Sequence, residues 1–182
     1  MYERRRDWDK LIDISKREIE LLESDDDRAA AFLEVAQMAS AKLKRPQVST
    51  ELWSKVIEFD PHNLEALAQL ETLYERAKDW ENLADVCQRQ VAQTDDIQRK
   101  TQILQKLGIL FTDKAQDDQR AIESWRALLE LDATNRRAQD SLKKLYLAAR
   151  AYDELEAFYA GQGKYDEYIR VLERQVDSED EE

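Results

Sequence analysis

Apolar residues recur every third or fourth position along most of the chain, in stretches of about four turns separated by short polar breaks. That spacing is the mark of helices with one buried face. The first stretch follows Asp7, a candidate N-cap, and runs to about Glu23 on Trp8, Leu11, Ile12, Ile19 and Leu22. Further helices are predicted over Ala29–Leu43, Val48–Phe59, Leu64–Ala77, Trp80–Gln93 and Gln98–Lys114. A seventh opens at Asp117–Asp118, with Ala121, Ile122, Trp125, Leu128, Leu129 and Leu131 inward. An eighth opens at Asp132–Asn135, and two shorter ones cover Ala151–Ala160 and Tyr165–Val176. The breaks carry the residues that stop or start helices. Pro46 ends the second, Asn63 caps the fourth, and Gly161–Gly163 separate the last two. Ser24–Arg28 (SDDDR) reads as the start of a helix, where carboxylates complement the dipole. It does not read as a calcium loop: no glycine stands at the turn, and Ala36 occupies the place of the closing glutamate.

A longer period overlies the helical one. Trp53 and Trp125 are 72 residues apart, as are Trp8 and Trp80, and Tyr2, Tyr74 and Tyr146 mark that interval twice. DPHN at Asp60–Asn63 returns as DATN at Asp132–Asn135. Ungapped aromatic landmarks at one interval indicate internal repeats. The last hairpin, 151–176, is compressed relative to the interval, and 177–182 (DSEDEE) is an acidic, solvated tail. Short connections make successive helices antiparallel neighbours, and none can bury its stripe alone, so the pairs must stack. The expectation is an all-α, right-handed superhelical solenoid of about ten antiparallel helices forming a single repeat domain over 1–176. Interior aromatics should carry much of its stability: truncating Trp80 or Trp125 to Ala is expected to cost about 3–5 kcal/mol.

Leu107–Phe111 (LGILF) followed by Ala121–Asn135 (AIESWRALLELDATN) resembles a tetratricopeptide repeat. Leu107 and Gly108 stand at the family's Leu-Gly position, Phe111 at its first aromatic, Ala121 at its small residue and Trp125 at its second aromatic. Asp132–Asn135 stands at its Asp-Pro turn, with Ala133 in place of the proline. Glu51–Asn63 keeps the proline as Pro61. Other units diverge: Glu71 replaces the usual glycine and Leu83 the usual alanine. The resemblance covers nearly the whole chain, and the double unit is similar to long bacterial arrays of the family. Tyr2 corresponds to Tyr74, near the end of a first helix of a pair. The chain is therefore expected to open on the partner of a missing helix, as a portion of a longer array, with an exposed apolar flank on helix one.

The resemblance implies that the first helix of each pair lines a concave face whose non-core positions touch peptides. Carried over, those positions are Leu33 and Gln37 on helix two, Ala68 and Thr72 on helix four, Gln105, Ile109 and Thr112 on helix six, and Asp140, Lys144 and Leu147 on helix eight. This set is small, amidic and lightly apolar, suited to an extended segment or an amphipathic helix of a protein partner. The family's two-lysine, two-asparagine carboxylate clamp is not matched, since Ala68 and Thr72, or Gln105 and Ile109, fill the places of its first Lys-Asn pair.

Composition narrows the function classes. Three glycines, two prolines and 37% charged residues suit helices, and 42% hydrophobic residues suit a packed core. A net charge of −12 argues against nucleic acid, whose phosphates require a basic stripe. No apolar run approaches the roughly 20 residues that span a bilayer, and no secretory signal opens the chain. A cytoplasmic protein that does not enter membranes is the expectation. His62 and Cys87, the only histidine and cysteine, cannot build a zinc site, and Cys87 sits on an apolar stripe as a small hydrophobe. No Gly-rich phosphate loop is present. No catalytic, cofactor or metal residues are predicted. The functional expectation is a non-catalytic protein-interaction scaffold. The alternative is a structural spacer that self-associates end to end through its terminal repeats.

Overall fold

The computed structural model describes residues 5–180, and all regular structure in them is helical. Ten α-helices follow one another: α1 (Arg5–Glu20), α2 (Asp25–Lys42), α3 (Pro46–Phe59), α4 (Leu64–Ala77), α5 (Trp80–Gln93), α6 (Ile97–Ile109), α7 (Asp118–Leu131), α8 (Arg136–Ala148), α9 (Tyr152–Ala160) and α10 (Tyr165–Asp180). A π-helical segment, Leu110–Ala115, extends α6. The main contacts join each helix to its neighbours in sequence, so the helices form an elongated stack of hairpins.

Side-chain caps set most of the starts. Backbone N–H groups donate to Ser24 at α2, Asn63 at α4, Asp79 at α5, Asp96 at α6, Asp117 at α7 and Asn135 at α8. Several boundaries differ from those expected. Asp7 lies inside the described part of α1 rather than capping it, and the helix ends at Glu20 rather than near Glu23. α2 starts four residues earlier than expected, because Ser24 caps it and Asp25–Asp27 fill its first turn. Pro46 opens α3 instead of separating it from α2, since the first helical position needs no N–H and suits proline's fixed φ. The helix-ten register continues into the acidic tail as far as Asp180.

Two apolar clusters run along the stack. One gathers α1–α4 around Trp53, the other α5–α9 around Trp125, and they meet at α5, which contributes Val86 to the first and Leu83, Ala84 and Cys87 to the second. Tyr74 packs against both. Trp53 and Trp125 are each 1% exposed, whereas Trp80 is only half-buried. Trp80 is the first residue of α5 and packs at the edge of its cluster, so it does not carry the core weight expected of it. Leu131, expected inward, is exposed as the last residue of α7.

Candidate protein-interaction surface

The 72-residue interval recurs in atomic detail. The Trp53 indole N–H donates to Ser40 Oγ at 2.9 Å, and the Trp125 indole N–H donates to Thr112 Oγ1 at 3.2 Å. Each bond ties the second helix of a pair to the first. Gly108 makes room for Trp125: a Cβ there would lie 2.4 Å from the indole ring. The two Asp-to-Asn turns match as well. Asn63 Nδ2 donates to Asp60 Oδ2 at 3.0 Å and Asn135 Nδ2 to Asp132 Oδ2 at 3.5 Å, while each Asn side chain caps the next helix. Hydrogen bonds from Thr134 to Asp132 outweigh the effect of desolvation and hold its carboxyl below the usual range. Lys78 and Arg150, again 72 apart, both adopt the left-handed region, with φ 58° and 53°. They close α4 and α8 through matching backbone bonds, Asp79 N to Tyr74 O and Ala151 N to Tyr146 O.

The α4–α5 pair packs differently. Its second helix carries Cys87 instead of a tryptophan, and its first helix carries Glu71 where Gly108 stands in α6. The Glu71 side chain is 16% exposed and sits among four polar groups. Lys106 Nζ donates to Glu71 at 2.8 Å and to Glu75 at 2.8 Å. Gln90 Nε2 donates to Glu71 at 2.8 Å, and Arg99 donates to Gln90 Oε1 at 3.0 Å while lying 3.6 Å from Glu71. The network joins α4, α5 and α6. Burial alone would raise the Glu71 pKa, but the Lys106 and Gln90 hydrogen bonds and the Lys106 and Arg99 charges pull it below its ordinary value. Burial would likewise lower that of Lys106, yet its two carboxylate partners raise it. Burial, with the Glu71 charge behind it, pushes the Cys87 thiol up to about 12, so it stays protonated as a core residue. No sequence argument singled out this cluster. Its only signal was a charged residue at a position that elsewhere in the chain holds glycine.

The predicted groove residues fall into two groups. Gln37, Ala68, Thr72, Asp140 and Lys144 are exposed; Leu33, Gln105, Ile109, Thr112 and Leu147 are half-buried. Gln37 Nε2 donates to both carboxylate oxygens of Glu65, at 3.0 and 2.9 Å, which bridges the first helices of two consecutive pairs. Lys106 bridges α6 to α4 in the same manner. Ala68 lines a notch of about 290 Å³ with Leu64, Gln90, Gln93, Arg99 and Ile103. Leu33, Ile109 and Leu147 rest against the core clusters, and the Thr112 hydroxyl is taken up by Trp125 and the Gly108 carbonyl. The exposed part of the predicted face therefore carries Gln37, Ala68 and Thr72 on α2 and α4 and the charged Asp140 and Lys144 on α8. Among the described residues, no group of three His, Cys, Asp or Glu side chains is placed to hold a metal ion, and no helix is long and apolar enough to cross a membrane.

A tetratricopeptide-repeat profile matches residues 66–101, which are most of α4, all of α5 and the start of α6. No curated protein matches the sequence. Two crystal structures of MamA overlay on 96% of this chain at 19% identity with TM-scores of 0.44, covering 90% of one MamA chain and 84% of the other. A tetratricopeptide match within a stack of helical hairpins that repeats its own contacts after 72 residues makes this chain a tetratricopeptide-like helical-repeat protein; such repeats are in general scaffolds for protein–protein contact and are typically non-catalytic.

Proposed function

We propose that residues 1–176 act as one repeat domain that binds a segment of a partner protein on the face formed by α2, α4, α6 and α8. The observation that carries this is the cross-linking of α2 to α4 by Gln37–Glu65 and of α4 to α6 by Lys106 with Glu71 and Glu75, which would present Ala68 and Thr72 from a stiffened surface. A surface held in place before binding loses less conformational entropy on binding. Exposed alanine, threonine and glutamine let a backbone approach closely and offer hydrogen bonds to it. Peptides selected from a displayed random library on the immobilised chain test the proposal. Ala68→Arg/Thr72→Arg should weaken the selected peptides at least tenfold while leaving the helical signal intact. Unchanged affinity would move binding off this face.

A second reading, a spacer that self-associates through its ends, is favoured by a different observation. Ile14 on α1, Leu21 in the turn just after it, and Tyr165, Ile169 and Val176 on α10 remain exposed, at 46–82%. The other large exposed apolar residues, Leu64, Ile97 and Leu131, are first or last residues of helices, where such exposure is common.

A further inference from the structure

The last helix exposes a ridge rather than scattered residues, and the first helix exposes an apolar patch together with the turn that follows it. On α10, Tyr165, Ile169, half-buried Leu172 and Val176 follow at intervals of four, three and four, which places them within an arc of about 60°. Tyr168 and Val171, on a neighbouring face of the helix, make its core contact. On α1, Ile14 is exposed on the side away from buried Ile12 and Ile19, and exposed Leu21 follows in the turn directly after the helix.

The edges of the α10 ridge and of the α1 patch carry opposite charge. Beside the α10 ridge lie Asp166, Glu173 and Asp177, all exposed, on a helix with six carboxylates and two arginines. Beside Ile14 on α1, exposed Lys10 and Arg17 line one edge, with Asp13 further round, and Glu18 stands on the other. We infer that α10 of one copy docks on α1 of a second copy, the α10 ridge against the patch of Ile14 and Leu21, with the acidic edge set against the basic one. The inference rests on the self-association reading and supplies its surfaces. The two faces are different, so the contact is heterologous: each copy keeps one free acceptor and one free donor end, and assembly proceeds to rings or filaments rather than stopping at a two-fold dimer.

Light scattering and sedimentation of the 182-residue chain over a range of concentration and salt provide the test. Mass should rise with concentration and fall with added salt, because the charged edges are solvent-exposed and screened. Lys10→Glu/Arg17→Glu should weaken association roughly tenfold, and Asp166→Lys/Glu173→Lys should do the same. Mixing the two double variants should restore it, since every junction in the mixture can then pair opposite edges. Exposed positions make misfolding an improbable cause, and circular dichroism checks it. Association that neither variant alters overturns the paired surfaces while leaving self-association standing. A chain that stays monomeric at every concentration overturns both and leaves the surfaces to another occupant.

Discussion

The α6–α7 and α4–α5 hairpins occupy equivalent places in the stack and are held together by different chemistry. In α6–α7, Trp125 lies over Gly108 and hydrogen-bonds Thr112. In α4–α5, a small cysteine replaces the indole, and Glu71 enters the space with Lys106, Gln90 and Arg99 around it. The first solution concentrates stability in one large side chain whose position requires the absence of a Cβ. The second distributes it over a polar network that also reaches the next hairpin. An apolar wedge contributes through area removed from water, whereas a buried ion network recovers only part of what desolvation costs it. The tryptophan pairs therefore supply the greater share of stability, and the charged pair fixes how one hairpin sits on the next.

Three experiments would break or sharpen that contrast. The largest effect is expected in the tryptophan hairpin: Trp125→Ala should cost about 3–5 kcal/mol in denaturant unfolding. Half-buried Trp80→Ala should cost clearly less, about 1–2 kcal/mol. Gly108→Ala should cost roughly 2–3 kcal/mol in the parent by overpacking, and little in the Trp125→Ala background, where the ring is gone. Equal costs in both backgrounds would separate Gly108 from the indole.

A smaller effect is expected in the charged hairpin. Lys106→Met removes the strongest partner of Glu71 and should cost about 1–2 kcal/mol, whereas Lys106→Met/Glu71→Leu should recover much of it. The pH dependence has a defined sign. Glu71 titrates below its ordinary value of 4.5 in the folded chain, so its contribution is complete above that value. It is lost as pH falls through the lowered folded value. Lys106 is raised above 10.5, so its contribution is present below that value and disappears as pH rises through the folded one. Unfolding curves of the parent and of Glu71→Leu should converge in acid. A constant difference down to low pH would remove Glu71 from the ledger.

The smallest effect concerns the turn that closes α4. Lys78→Gly should stabilise by roughly 0.5–1 kcal/mol, because glycine adopts the left-handed conformation at φ 58° without steric penalty. Arg150→Gly should act alike at the equivalent turn of α8. A thermal shift in opposite directions for the two would show that these turns are not equivalent.

Helix positions, the repeat interval and the identity of Trp53 and Trp125 as core residues were legible in the chain. Each is written in residues within a turn or two of one another, or in landmarks that recur without gaps. Even the misplaced boundaries were local matters of capping, as at Ser24 and Pro46. The groove positions were carried over from the tetratricopeptide resemblance; among them Gln37, Ala68 and Thr72 are exposed, but nothing in the sequence said that Thr112 would turn its hydroxyl to Trp125.

What the sequence determined by itself is the set of amphipathic helices, their caps and their recurrence, because helical stripes and caps depend on neighbours three or four positions away. Tertiary structure alone decided that Trp80 lies at the edge while Trp125 lies at the centre, that Glu71 meets a lysine 35 residues on, and that Ile14 on α1 and the Tyr165–Val176 ridge on α10 stay exposed beside charged residues. Those outcomes depend on which helix surfaces meet, and burial and ion pairing are settled only where groups distant in the chain come within a few ångströms.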